Sequence, residues 1–325
     1  MEDLCEVKLM FLSWRGQSGV TRLPREQFQT MLQDPAAVLW LDLEGGEAEI
    51  RPLLIELGLF HPLTVERIFT PQPRAFLDEF DSYLHLLLQE IHFSQAGEVG
   101  LDACHFILGS NFLITIHPGP LEAIATLQRE PPARFFSQGS DVLFYHIAVP
   151  LIGRSFTALD EIADRTEAIE DRIFPRPDRE LLAELFSLKR DLIAMRKALA
   201  PMREALGLLS RRENPFVDLE ALPFMSLLYD QLIRLHELCE TQRDILAGAQ
   251  EIYLSALSNR MNEVMMTLTV VSTIMLPLTL IVGYYGMNFQ HFPELTWKHG
   301  LLLLWLLMGG TVGGMLWYFK RKHWF

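Results

Sequence analysis

The chain has 325 residues, half of them hydrophobic, with 41 acidic against 28 basic side chains and a formal net charge of −13. That balance argues against nucleic acid as a partner, because a polyanion would be repelled, and it suits either a surface that attracts cations or a plain soluble one. Three cysteines, Cys5, Cys104 and Cys239, stand far apart with no Cys-x-x-Cys pair, so neither a disulfide framework nor a zinc ribbon is expected.

The first stretch, Met1 to Trp14, has acids ahead of its apolar residues and no small-residue cleavage site. It reads as a strand over Val7 to Trp14, not as a secretory leader, and the domain is expected to stay on the side where it is made. Ala37 to Leu43 reads as a second strand, and Pro24 to Gln33 between them as a helix with proline in its first turn. Further helices are expected from Glu47 to Leu57, closed by Gly58, and from Pro62 to Phe69. Strands follow at Tyr83 to His92, Asp102 to Leu108 and Phe112 to His117, the last two joined by a hairpin turn at Gly109-Ser110-Asn111. Residues 1–140 therefore form an expected α/β domain, a sheet with flanking helices.

No catalytic site emerges there. A Gly-rich phosphate loop, a GxSxG elbow and an HExxH helix are all missing from the sequence, so neither an enzyme nor a bound cofactor is expected. His61, His85, His92, His105 and His117 are scattered, and His105 and His117 read as ordinary sheet residues. Asp78, Glu79 and Asp81 read as a solvated approach to a strand rather than a cation site.

Residues 141–262 are expected to be a stalk of long helices. Leu143 to Glu170 repeats apolar residues close to every 3.6 positions and carries Asp160, Glu161, Asp164, Glu167, Glu170 and Asp171 in its second half. With Arg154, Arg165 and Arg172 interleaved, this run fits both a cation-gathering face and a wetted one. Pro175-Arg176-Pro177 breaks the helix, and Asp178 caps an antiparallel partner from Arg179 to about Ser210. A further helix starts near Pro223, with Leu228, Leu232, Leu235, Leu238, Ile245, Ile252 and Ala256 as its apolar seam. It runs on into an apolar segment, so that Met225 to Gly283 would measure about 90 Å. Such a helix needs partners along its length, from the preceding hairpin, from copies of itself, or from both.

Val264 to Gly283 and Gly300 to Phe319 are twenty-residue runs without a charge, each long enough to cross a hydrocarbon core of roughly 30 Å. Residues 263–325 are read as a membrane hairpin with a loop at 286–298. Lys320, Arg321, Lys322 and His323 close the second span, whereas the loop carries only Glu294 and Lys298. The positive-inside rule then puts both termini in the cytoplasm and the loop outside a multi-pass inner (plasma) membrane protein. On the first span Asn262, Met265, Leu268, Ser272, Leu276, Thr279 and Gly283 share a stripe free of carboxylates. Two helices cannot enclose water, so a pore requires oligomerisation around this stripe; a plain helix-packing seam is the other reading. Gly309, Gly310, Gly313 and Gly314 allow the second span to pack closely outside it, and Pro277 gives the inner helix a kink or hinge.

Tyr285-Gly286-Met287-Asn288 at the end of the first span resembles the signature of the CorA family of divalent-cation channels. Tyr253-Leu254-Ser255, Asn262-Glu263-Val264-Met265, Pro277-Leu278-Thr279, Pro293-Glu294-Leu295 and the terminal Lys320-Arg321-Lys322-His323-Trp324 extend the resemblance. It implies a homopentamer with an α/β funnel, stalk helices continuing into the pore, and Mg2+, with Co2+ or Ni2+, as cargo. By the same resemblance Gly286, Met287, Asn288 and Glu294 form the entry, with Asn288 meeting the hydrated metal ion. Met265, Leu268, Ser272, Leu276, Thr279 and Gly283 line the path below. Asn288 also suits a helix C-cap, and both roles are compatible. Magnesium sheds water reluctantly, so neutral oxygens that hold its hydration shell make chemical sense. The alternative is the related ZntB-type zinc transporter, with possible proton coupling. Where magnesium-sensing members carry acids this chain has Leu227 and Arg67, which puts cytoplasmic feedback in doubt.

Overall fold

The computed structural model describes residues 8–15, 20–22, 25–72, 74–94, 97–129, 133–173, 175, 177–211, 214–287, 298–322 and 324. The chain divides into two compact units, Met1–Arg172 with Asp178–Gln250, and Ile173–Pro177 with Glu251–Phe325.

The first unit is built on seven strands, β1 (Lys8–Arg15), β2 (Val20–Arg22), β3 (Ala37–Glu44), β4 (Phe76–Glu79), β5 (Leu84–Phe93), β6 (Val99–Leu108) and β7 (Phe112–His117). Their order is β2-β1-β3-β7-β6-β5-β4, with β3 and β7 parallel and every other pair antiparallel. β2 and β4 were not anticipated. Both are short edge strands, and β4 ends on Asp78-Glu79, charges that hide a strand in sequence but suit an edge that must not recruit another.

The central strands are apolar on both faces because helices cover both. Side chains alternate across a strand, so Leu39, Leu41 and Leu43 of β3 join Phe112, Ile114 and Ile116 of β7 on one face. They pack with Phe28, Ile50, Leu53, Leu54, Val65 and Ile68 from α1 (Arg25–Leu32), α2 (Glu47–Leu57) and α3 (Pro62–Phe69). Trp40 and Phe106 point to the other face. They meet Phe136 of α5 (Ala133–Phe136) at 6.4 Å and Phe144 of α6 (Ser140–Ile173) at 5.1 Å between ring centroids. α5 and the preceding α4 (Glu122–Arg129) are too short for their periodicity to show in sequence. α2 stops where Gly58 turns to φ 65°, a left-handed position that a Cβ would strain. Gly58→Ala should cost about 1 kcal/mol, read as a lowered thermal midpoint; an unchanged midpoint would contradict the cap.

α6, α7 (Arg179–Arg211) and α8 (Leu222–Tyr285) supply the long helices. Asp178 caps α7 through the Leu181 amide at 3.0 Å, and Arg172 pairs with Glu184 across the turn. α7 and α8 are joined by Arg196–Glu240 at 3.1 Å and by the Cys239 thiol donating to the Leu192 carbonyl. Along the first half of α8 the buried residues are Met225, Leu228, Leu232, Leu235, Cys239, Leu246, Ala249 and Tyr253, a seam at steps of three, four and seven. Leu238 and Ile245, which the sequence put on that seam, are exposed, together with Leu227. α8 has two apolar stripes, and only one is covered within the chain.

Among the described residues three helices are long and apolar enough to cross a membrane: α6, α8 and α9 (Gly300–Arg321). In α6, 56% of the apolar window is buried in protein, against 6% in α8 and none in α9. α6 is thus a core helix, while the apolar windows of α8 and α9 find almost no protein to cover them in the single chain. A bilayer is the solvent that such surfaces fit.

Candidate functional site

The last third of α8 carries the site. Ser272, Met275, Leu276, Thr279, Leu280, Gly283, Tyr284 and Met287 recur at steps of three and four and line one shallow groove of about 630 Å³. Of the stripe read from sequence, Ser272, Leu276, Thr279 and Gly283 lie together in it, with Met287 at its end. Leu268 lines a second depression with Arg260, Glu263, Val264, Thr267 and Val271, and Met265 is exposed on the helix surface. Met275, Leu280 and Tyr284 were missed, because one stripe was drawn where the groove is two columns of residues wide. Their offsets of three and four from Ser272, Leu276 and Leu280 were the available signal.

The groove is apolar apart from the hydroxyls of Ser272, Thr279 and Tyr284, and the proton of Thr279 is already spent. Thr279 Oγ1 donates to the Met275 carbonyl at 2.8 Å, and Thr267, Thr269 and Thr273 likewise donate to the carbonyls of Glu263, Met265 and Thr269. With the proton committed inside the helix, the oxygen lone pairs of Thr279 face outward as acceptors. Such a surface receives hydrogen bonds from water, including water held around a cation, without offering the cation a carboxylate. Pro277 lies inside α8 and brings no amide for the Thr273 carbonyl, so the helix is weakest beside the groove.

α8 ends at Tyr285, where the Gly286 amide still donates to Val282 O at 2.9 Å and the Met287 amide to Tyr284 O at 3.3 Å. A Cβ on Gly286 would stand 3.0 Å from the Val282 carbonyl oxygen, a tight contact that glycine avoids in this final turn. Met287 is half exposed. Asn288 and Glu294 lie outside the described residues.

The cytoplasmic-type candidates are held by the protein itself. Among the described residues no group of three His, Cys, Asp or Glu side chains could hold a metal ion. Asp78 pairs with Arg67, whose guanidinium lies 3.7 Å from the centroid of Phe76. Arg154 links Glu90, at 3.0 Å, with Glu122, and Arg165 donates to the Gly97 carbonyl at 2.8 Å. The arginines interleaved with the α6 acids thus bind elsewhere and leave that acidic run exposed. Burial pushes the Glu90 carboxyl up in spite of Arg154.

The histidines are less scattered than their sequence. His85 and His105 sit diagonally across β5 and β6, with Nε2 of His85 3.0 Å from Nδ1 of His105. Phe76 stands edge-on to His85 at 5.0 Å. Burial, with Arg67 adding to it, lowers His105 to about 4, and burial and the neighbouring imidazole lower His85 further. Both are therefore neutral in the folded chain. An unfolded histidine titrates near 6.5, so the unfolded state takes up protons that the folded state refuses. The contribution of this pair to stability is full above about pH 6.5 and falls as the pH drops toward about 4. Thermal midpoints between about pH 7 and pH 5 should fall accordingly, and His85→Phe should flatten the slope; an unaltered slope would contradict this.

Three comparisons place this geometry among known proteins. The family model for a CorA-like Mg2+ transporter protein matches residues 35–321. The cobalt/magnesium transport protein CorA of Thermotoga maritima is 31% identical over 90% of this chain and 85% of its own length. The putative metal ion transporter YfjQ of Bacillus subtilis is 34% identical over 90% of this chain and 92% of its own. Among solved structures, the CorA magnesium transporter of Methanocaldococcus jannaschii covers 97% of this chain and 99% of its own, with a TM-score of 0.79 and 24% identity. The cytoplasmic domain of ZntB from Vibrio parahaemolyticus covers 77% of this chain with a TM-score of 0.60 at 16% identity, a likeness of fold alone. With the family model spanning nearly the whole chain, this protein belongs to the CorA-like Mg2+ transporter family, whose members are divalent-cation transporters with membrane-spanning helices.

Proposed function

We propose that the chain assembles as a homopentameric channel that admits Mg2+, and with it Co2+ or Ni2+, through a pore lined by the apolar third of α8. The observation that carries this reading is the groove, where the Thr279 hydroxyl has given its proton to the helix and keeps its oxygen as an acceptor on a largely apolar, carboxylate-free face. Such a lining passes a cation that keeps its water, because nothing in it competes strongly for inner-sphere ligation. In this reading Gly286, Met287 and Asn288 form the outer mouth and Glu294 raises the local cation concentration. Met265, Leu268 and Leu276 form the apolar constriction. Both termini are cytoplasmic, as the basic flank of α9 supports.

Residues 1–140 act as the funnel, 141–262 as the stalk and 263–325 as the membrane hairpin. The exposed stripe of Leu227, Leu238 and Ile245 on α8 supports assembly, since it leaves apolar surface for another copy. Proteoliposome flux of Mg2+, Co2+, Ni2+ and Zn2+, each with and without a pH gradient, tests the proposal. Mg2+ entry down its own gradient, indifferent to pH, is the expected result. Zn2+ uptake that requires a pH gradient, with no Mg2+ flux, would overturn it.

A further inference from the structure

Five aliphatic hydroxyls stand in the apolar run of α8, on Thr267, Thr269, Ser272, Thr273 and Thr279. The four threonines return their protons to the helix, each donating to the carbonyl four residues before it at 2.7–2.9 Å. Ser272 differs. It is exposed and makes no hydrogen bond among the described residues, so its proton and its lone pairs are both open to the groove that it lines with Leu276 and Thr279. An α-helix turns about 100° and rises about 1.5 Å per residue, which puts Ser272 midway between Leu268 and Leu276, about 6 Å and about 40° from each. Both leucines are exposed, at 59% and 73%. Any path that runs over the two leucines therefore crosses the serine between them.

A hydroxyl with an unused proton is costly to leave in hydrocarbon, and the usual remedy on a helix is the bond to a carbonyl one turn back that the four threonines make. Ser272 makes no such bond and needs a partner from outside the helix. In a groove without carboxylates or side-chain amides, water is that partner. An unbroken apolar run from Leu268 to Leu276 would measure about 12 Å, and a constriction of that kind closes by losing its water. A hydroxyl at its middle holds water there and leaves two dry steps of about 6 Å each. A magnesium ion keeps its shell, and the waters that it polarises donate to a serine oxygen more strongly than bulk water does. We propose that Ser272 is a hydration step in the ion path, accepting hydrogen bonds from the shell of the passing cation between the Leu268 and Leu276 constrictions and so setting the rate of permeation. This role rests on the reading that α8 lines the path and is independent of the mouth at Asn288.

The test measures Mg2+ flux into proteoliposomes that hold the full-length protein, Ser272→Ala or Ser272→Thr. One hydrogen bond of ordinary strength is worth about fivefold, so alanine should slow flux at least about fivefold. Threonine, whose oxygen still accepts after its proton goes to the helix, should restore most of it. Oligomer size and thermal midpoint in detergent should match in all three. Flux of Ser272→Ala within about twofold of the unmodified protein, less than an ordinary hydrogen bond supplies, overturns the proposal. So does a loss of flux matched by a loss of oligomer, which would make the serine's partner a second copy. Thiol labelling separates this from a failure of the pore reading. Ser272→Cys and Thr279→Cys are treated with a cationic, water-soluble methanethiosulfonate, beside the unmodified protein and Ile274→Cys, which lies about 200° round the helix from Ser272. Block of flux in the first two alone is expected. Block in Thr279→Cys without block in Ser272→Cys overturns the role of Ser272 and leaves α8 as the lining. Block in neither overturns the lining itself, and the role of Ser272 with it.

Discussion

Replacing Asn288 by alanine is expected to cut Mg2+ uptake into proteoliposomes about a hundredfold while leaving the oligomer intact. Asn288 follows Met287, the last residue lining the groove, and in the proposed assembly its amide is repeated around the mouth. A hydrogen bond to an ionic group is worth about 1.5–3 kcal/mol. Losing only two such bonds to a bound hydrated ion is about 3 kcal/mol, or roughly a hundredfold in occupancy. Alanine is a poorer helix-terminal cap than asparagine, and assembly and thermal stability are expected to change little. Asn288→Asp is the informative companion. It keeps the oxygen and adds charge, and should bind the ion more tightly than it releases it, again lowering flux. Unchanged flux of both Mg2+ and Zn2+ in Asn288→Ala, with the oligomer confirmed by size, would remove the mouth from the mechanism.

How much of this was legible in the sequence depends on the range of the interaction. The Gly58 stop of α2, the Asp178 cap of α7 and the two uncharged spans depend on neighbours within a few residues, and each was readable. The stripe on α8 was readable in direction but not in width, because periodicity gives the line of a face and not its edges. Leu238 and Ile245 show a related limit. A helix with two apolar stripes has one periodicity, and only the position of α7 decides which stripe is covered. The His85–His105 pair was out of reach, since it rests on the register of β5 against β6. A shift of one residue would send the two rings to opposite faces.

That register also separates two tasks within the first unit. One face of the sheet carries the main apolar cluster and, toward β5 and β6, the buried His85–His105 pair. The other carries the buried polar residues Asp42, Thr115, His117 and Glu90, of which Asp42 and Glu90 are tied to helices that follow the sheet in sequence. Gln128 of α4 donates to Asp42, and Arg154 of α6 reaches Glu90 and Glu122. Apolar contact tolerates sliding, whereas these bonds are directional. The polar face therefore fixes where the later helices dock on a sheet that the apolar face holds together.

The strongest of these ties should also be the most costly to cut. Asp42 is 2% exposed and accepts hydrogen bonds from Thr115, from Gln128 and, at 3.2 Å, from His117 Nε2. The other ring nitrogen of His117 lies 2.5 Å from the Gly119 carbonyl. Both nitrogens face acceptors, an arrangement that favours a hydrogen on each and hence the imidazolium form. Burial alone would pull its pKa down. The hydrogen bond and charge of Asp42 oppose this, helped by Gly119 and Glu44, and together leave it raised. Asp42→Ala strands that cation in the interior and should cost about 3–5 kcal/mol, read from urea or thermal unfolding. Asp42→Asn, which keeps an acceptor but loses the charge, should cost less. The sign with pH is opposite to that of the His85–His105 pair. A raised histidine contributes stability that is complete below the unfolded value near 6.5 and is lost as the pH climbs through the folded value above it. The unmodified protein should therefore lose stability on the alkaline side of neutrality, and Asp42→Asn should lack that loss. A cost below about 1 kcal/mol for Asp42→Ala, the ordinary size of a neutral hydrogen bond, would mean that His117 is not held as a cation.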